Sequence, residues 1–191
     1  MAINLVKGQK ISLDKESGAG LAKVVMGLGW DPAKKKGFFS RKPAEIDLDA
    51  SCTLFDENKT PLDFVYFGQL RSKDGSILHT GDNLTGEGEG DDEQIIVDLS
   101  RVPQHVKYLV FTVNSYQGQT FNEVDNAYCR IVDDKDGKEL ARFTLSGGGD
   151  NTALVMAKVY RHQGEWKMHA LGEKTSGRVV NELLPAMVAV L

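Results

Sequence analysis

Residues 81–93 read Gly-Asp-Asn-Leu-Thr-Gly-Glu-Gly-Glu-Gly-Asp-Asp-Glu, a run of six carboxylates and four glycines with no lysine or arginine. Such a loop repels itself unless cations neutralise it. Glycine lets the backbone curl so that carbonyls and carboxylates converge, and hard divalent ions, calcium above all, take six to eight such oxygens at about 2.4 Å. The competing reading is a solvated acidic loop, the usual fate of a charge run. The segment is not an EF-hand: counted from Asp82, the third position is Leu84, and the glycine and terminal glutamate fall out of register.

The elements that must position these acids are short β-rich runs separated by turn chemistry. They fall at 24–30, 47–55, 62–68, 94–99, 107–113, 127–132, 139–145, 152–160 and 165–171. With no good helix between them, they predict an all-β fold, an antiparallel β-sandwich of two related halves with a short C-terminal helix. The relation of the halves rests on a faint repeat: 49–56 aligns with 126–133 through Ala, Cys, a Leu/Ile pair and Asp, and Gly90-Asp91-Asp92 echoes Gly149-Asp150-Asn151. Asp136-Gly137 and Gln163-Gly164 predict hairpins. Trp166, Tyr160 and Phe143 read as core aromatics. Residues 176–191 carry a helical stripe of Val180, Leu183, Leu184, Met187, Val188 and Leu191, a packing face that Pro185 must kink or start anew.

Strand alternation then places the acids. Leu48, Ala50, Cys52 and Leu54 share one face, so Asp47 and Asp49 share the other, about 6.6 Å apart along the strand. If successive strands alternate in direction, the loops 70–93, 115–125 and 146–151 gather at the end of the sandwich where Asp31 and Asp47 sit. The expected metal ligands are Asp31, Asp47, Asp49, Asp82, Asn83, Asp91, Asp92 and Glu93, with Glu87, Asp125, Asn126, Asp150 and Asn151 as weaker candidates. The donors are hard oxygens with no Cys/His set at zinc spacing, which favours calcium over zinc or iron. His79 lies beside this end, but a lone histidine in a loop is usually neither ligand nor base.

At 191 residues the chain is long enough for a single domain over 1–191 that buries about 70% of its unfolded surface. A net charge of −4 and a pI near 5.6 argue against a general nucleic-acid binder, and the cluster Lys34, Lys35, Lys36, Arg41 and Lys42 is local. The opening Met-Ala-Ile-Asn-Leu-Val-Lys lacks the apolar stretch of a signal peptide, and no segment approaches about 20 apolar residues, so a cytoplasmic protein is expected. Cys52 and Cys129 are then expected as buried, reduced thiols.

Three strings now acquire meaning together: Val-Met-Gly-Leu-Gly-Trp-Asp, Asp-Leu-Asp-Ala-Ser, and the long run from Asp74 through Glu93. With Val-Asp-Asn-Ala-Tyr and Val-Tyr-Arg-His-Gln-Gly-Glu-Trp-Lys downstream, the chain resembles the TerD family of tellurium-resistance and stress-response proteins along nearly its whole length. The resemblance implies a β-sandwich of two related halves, calcium held in acidic loops at one end, and a bacterial cytoplasmic location. It also implies partners within an operon-encoded tellurite-resistance system, including a membrane protein of the TerC kind, and association at the inner face of the inner membrane.

Catalysis is disfavoured, because carboxylates filled by a metal stay ionised and cannot act as general acids. The expected activity is that of a non-enzymatic, calcium-dependent interaction module, in which ion binding orders the acidic loops for contact with a partner or membrane surface. The alternative is calcium-dependent binding of anionic lipid or a phosphate ligand, assisted by Lys34 to Lys36. Direct tellurite chemistry through Cys52 and Cys129 is the third option, and burial argues against it.

Overall fold

The computed structural model describes residues 3–17, 21–32, 47–82, 90–144 and 149–191. Its strands, in chain order, are β1 (Ile3–Leu5), β2 (Lys10–Ser12), β3 (Lys23–Pro32), β4 (Leu48–Phe55), β5 (Pro61–Val65), β6 (Ile77–His79), β7 (Glu93–Asp98), β8 (Tyr108–Ser115), β9 (Val124–Asp133), β10 (Glu139–Thr144), β11 (Ala153–His162) and β12 (Glu165–Thr175). All nine expected strands are present. The three additional ones, β1, β2 and β6, have three residues each, too few for an alternating pattern to show. Among the described residues there are also two short α-helices, α1 (Leu13–Ser17) and α2 (Leu184–Ala189).

The strands form two six-stranded sheets, β1-β10-β9-β3-β7-β6 and β2-β12-β11-β8-β4-β5. Pairing is antiparallel throughout except at the edge, where β1 runs parallel to β10. Inner faces meet in one hydrophobic core that includes Leu28, Leu54, Ile95, Phe111, Ile131 and Met156, and each strand contributes alternate residues to it. Trp166 and Phe143 belong to this core, as expected. Tyr160 does not: it shares the outward face of β11 with Lys158, since Ala157 and Val159 take the inward positions.

The faint repeat in the sequence has a topological counterpart. Exchanging β3 with β8, β4 with β9, β5 with β10 and β7 with β11 turns the run β5-β4-β8-β11 of one sheet into β10-β9-β3-β7 of the other. The aligned octapeptides cover β4 and β9, and the two Gly-Asp-Asp/Asn strings precede β7 and β11. Gly90 and Gly149 both have positive φ, +101° and +85°, where glycine is favoured.

The C-terminal stripe packs as expected but over a shorter helix than 176–191. A 3₁₀ turn (Val180–Leu183) leads into α2, with Pro185 in its first turn, where the missing N–H costs nothing. Val180, Leu183 and Met187 are buried against Phe55, Val110 and Val155 on the outer face of the second sheet. The Gln163-Gly164 hairpin has φ of +52° and +81°, the pattern of a tight two-residue turn. The Asp136-Gly137 turn is longer, spanning 134–138 between β9 and β10.

The Met-Gly-Leu-Gly-Trp string has a packing reason. Gly27 and Gly29 on β3 stand opposite Arg130 and Tyr128 on β9, and both side chains reach across the bare strand toward residues 90–91. Arg130 grips Asp91 with two nitrogens at 2.7 and 3.0 Å, and the Tyr128 hydroxyl donates to the same carboxylate or to the Gly90 carbonyl. A Cβ on Gly27 would stand 2.1 Å from Asp91 Oδ2, inside the space that carboxylate occupies. Gly27→Ala therefore breaks the clamp and is expected to destabilise the protein by about 2–4 kcal/mol in urea unfolding. A loss below about 0.5 kcal/mol, the range of an unremarkable surface change, would contradict this account.

Candidate metal centre

The start of β4 carries Asp47 and Asp49 to one end of the sandwich, and residues 80–82, following β6, bring Asp82 to the same place. Among the described residues, Asp47, Asp49 and Asp82 each offer a carboxylate oxygen within 4.8 Å of the others. Asp47 and Asp49 are buried, and Asp82 is exposed. Asp47 Oδ1 is enclosed and has no hydrogen-bond partner, a costly arrangement for a carboxylate unless a cation or donor meets it. The Asp47 carbonyl accepts from the Tyr116 amide, and the Ser115 amide donates to Thr152, so the loops after β8 and before β11 reach this end as expected.

Glu93 approaches Asp49 from the opposite sheet. It occupies an inward position of β7 and accepts the Ala50 amide of β4 at 2.7 Å. Its Oε2 also lies 3.4 Å from Nε2 of His79, which is fully enclosed. His79 Nδ1 accepts the Gly81 amide, so the ring connects the loop that carries Asp82 to Glu93. Asn114, on β8 opposite Asp49, donates to Asp49 Oδ2 at 3.1 Å and to the Arg178 carbonyl at 2.8 Å. Asn114 and His79 are supporting residues that the sequence did not single out as part of the site. An asparagine at the inner end of an apolar strand was the available signal for the first.

Electrostatics follow from this crowding. The Asp49 carboxyl is pushed up to about 8, first by burial and then by Asp47, Glu93 and Asp82, with the Asn114 hydrogen bond opposing. Asp47 is raised by burial and by Asp82. Three carboxylates that hold each other's protons can bind a hard divalent cation, since ionisation and ion binding then supply the attraction that proton binding otherwise does.

The remaining expected ligands divide. Asp31 and Asp125 face each other across β3 and β9, and Asn126 donates to Asp31 Oδ2 at 2.8 Å. Asp92 accepts the Trp30 amide, and its carboxyl is raised by burial, with Asp31 and Asp91 adding to the rise and the Trp30 hydrogen bond opposing it. These residues form a second acidic group on the first sheet. Asp91 is engaged by Arg130, Tyr128 and Gln94, so its oxygens serve the clamp. Asp150 accepts from Asn122 of the connection between β8 and β9, and Asn151 donates to the Ala153 carbonyl. Asn83 and Glu87 lie outside the described residues, as do Lys34, Lys35, Lys36, Arg41 and Lys42.

Cys52 and Cys129 are free and fully buried, and burial drives both thiols upward, Cys129 to about 12. Neither is a nucleophile at neutral pH. No helix among the described residues is long and apolar enough to cross a membrane.

Comparison with known proteins agrees with the fold and with the resemblance. The family model of the TerD domain matches residues 1–185. The chain is 49% identical to the tellurium resistance protein TerZ of Serratia marcescens over 184 residues, 95% of this chain and 94% of that one. It is 42% identical to the stress response protein SCP2 of Bacillus subtilis over 200 residues, 98% and 100% of the two chains. Among solved structures, a homologue of the telluride resistance protein TerD from Streptomyces coelicolor superposes with a TM-score of 0.72 at 24% identity, covering 88% of this chain and 98% of that one, a likeness of fold.

The raised Asp49 carboxyl gives a pH dependence with a definite sign. Its folded state binds a proton that the unfolded chain releases near 3.8, so without divalent ions the contribution of Asp49 to stability is full below that value and is lost as pH rises toward about 8. Asp49→Asn removes this titration. In chelator, the variant is expected to show a flatter decline of the urea midpoint between these limits and a higher midpoint than wild type at the alkaline one. Parallel profiles for the two proteins would refute the assignment.

Proposed function

The chain belongs to the TerD domain family, which includes tellurium-resistance and stress-response proteins, and from that premise we propose a calcium-binding, non-enzymatic interaction module of a bacterial resistance system. The observation that carries this reading is the convergence of Asp47, Asp49 and Asp82 within 4.8 Å, with an enclosed Asp47 oxygen that no protein donor meets. These three would hold the ion, with Glu93 beside them from the other sheet. Of the His79 ring nitrogens, Nδ1 accepts the Gly81 amide and Nε2 lies 3.4 Å from Glu93 Oε2 without a hydrogen bond, and neither belongs to the Asp47, Asp49 and Asp82 group. The donor set therefore consists of hard oxygens, which suits calcium.

Bound calcium would change this end from strongly anionic to nearly neutral and would tie the loop carrying Asp82 to β4. The surface alongside is equipped for contact. Tyr116 and Leu70 are each 44% exposed, and the Tyr116 ring meets Phe67 edge-on at 5.7 Å. Both residues are attached to the acidic group by main-chain bonds, Tyr116 N to the Asp47 carbonyl and the Leu70 carbonyl to the His79 amide. Neutralising the acids beside this apolar surface removes the repulsion that an approaching acidic or apolar partner would meet. The expected partners are proteins of the resistance system, including a membrane protein of the TerC kind, met at the inner face of the membrane by a cytoplasmic protein. Ionised carboxylates around a metal are poor acids, and both thiols are buried, which supports binding over catalysis.

At a calcium concentration about 100-fold above Kd, stabilisation of roughly 2.7 kcal/mol is expected, a rise in Tm of about 5–10 °C for a chain of this size. The double variant Asp47→Asn, Asp49→Asn should lose most of that rise while melting no lower than wild type in chelator. Calorimetric scans that superimpose with millimolar calcium and with chelator would sink the proposal. Calcium-dependent sedimentation with anionic vesicles would assign the contact to lipid instead of protein.

A further inference from the structure

At the end of the sandwich opposite Asp47, the outer face of the second sheet carries a row of basic groups. Register places Lys10 of β2 opposite His169 of β12, and His169 opposite Lys158 of β11. The next row joins Lys167, Tyr160 and Tyr108. Burial, then Lys10 and Lys158 on either side, lower the pKa of the His169 imidazole, so two lysines flank a neutral ring, and the row runs against the net charge of −4 of the whole chain. Among the described residues, none of Lys10, Lys107 and Lys158 has a carboxylate within salt-bridge distance.

A cavity of about 210 Å³ is lined by Lys10, Lys107, Lys158, Arg161 and His162 with the Tyr108 and Tyr160 rings, and by the C-terminal Leu191, with no Asp or Glu in its wall. At about 30 Å³ per water, the space holds roughly seven waters, enough for a small oxyanion and part of its hydration. Lys158 is half-buried between the Tyr108 and Tyr160 rings, with Nζ 5.8 Å from each centroid, and it donates to the Val190 carbonyl. Its ammonium is pushed down by burial first, then by Lys10 and Lys59. Behind it, His169 Nδ1 is enclosed without a partner.

We propose that this cavity is an oxyanion site for a phosphate or phosphomonoester, held by Lys10, Lys107 and Lys158 with the Tyr108 and Tyr160 hydroxyls as donors. A tetrahedral anion satisfies the geometry because it accepts from several directions at once; Lys158 spends one donor on the Val190 carbonyl and keeps two, and among the described residues Lys10 and Lys107 have no carboxylate within salt-bridge distance. The charge it brings offsets the mutual repulsion of Lys158 and Lys10 across the His169 ring. The site is separate from the acidic end and does not depend on calcium there.

The test titrates inorganic phosphate into the full chain in chelator, at constant ionic strength, and follows the His162 ring and Lys158 side-chain signals by NMR. Saturable shifts are expected, with affinity weakened about tenfold or more in Lys158→Gln. Lys10→Gln, at an exposed position, should weaken binding while leaving the amide spectrum unchanged, which separates loss of the site from loss of the fold. Vesicles of phosphatidylcholine with phosphatidic acid form the second arm. Shifts with phosphate assign the site to a free anion, and shifts only with the vesicles, lost in both variants, assign it to a lipid headgroup. No saturable shift in either arm, or equal affinity in wild type and both variants, would overturn the proposal.

Discussion

The carboxylate of Glu93 crosses from one sheet to the other, and the acidic end of the molecule is organised around that crossing. It accepts the Ala50 amide, which lies on β4 just before its pairing with β5 begins at Cys52. A backbone donor there, unmet by a neighbouring strand, would otherwise be left to water or buried unpaired. By meeting it, Glu93 joins β7 to β4 and sets a negative charge beside Asp49, where the crowding of acids begins. The same carboxylate faces His79, whose other nitrogen holds the Gly81 amide, so one side chain links both sheets and the loop that carries Asp82.

Two aspartates adjacent to that residue show how little the chemistry of a side chain says about its use. Asp91 and Asp92 follow one another in an acidic run, yet Asp91 is clamped by Arg130 over the bare backbone of Gly27, whereas Asp92 accepts the Trp30 amide near Asp31. The clamp neutralises one acid and holds the run against β3, so the others are presented from a fixed position. The glycine pair inside β3 is clearance for Arg130 and Tyr128.

The two-fold relation of the halves extends to these polar contacts. Asn114 on β8 donates to Asp49 on β4, and in the exchanged positions Asn126 on β9 donates to Asp31 on β3, with acid and amide swapped. The exchange follows the same substitution of strands that interconverts the sheet orders. At the β4 position Asp49 joins Asp47 and Asp82 within 4.8 Å, whereas at the exchanged position on β9 Asn126 stands against Asp31, so the two positions share a scaffold and differ in charge density.

Alternation of apolar residues determined the nine principal strands, the inward face of β4 and the stripe on the C-terminal segment, because burial against a sheet imposes its period on the local sequence. Strand alternation also placed Asp47 and Asp49 together and brought the loop after β6 to meet them. Tertiary structure alone decided which acids are spoken for: Asp91 by Arg130, Asp150 by Asn122, Asp49 by Asn114. It also set the row Lys10, His169 and Lys158, whose members lie on three strands far apart in the chain. The reason is physical. Periodicity is a property of neighbours along the chain, whereas the partner of a charge is fixed by strand register and sheet packing, which no short stretch of sequence contains.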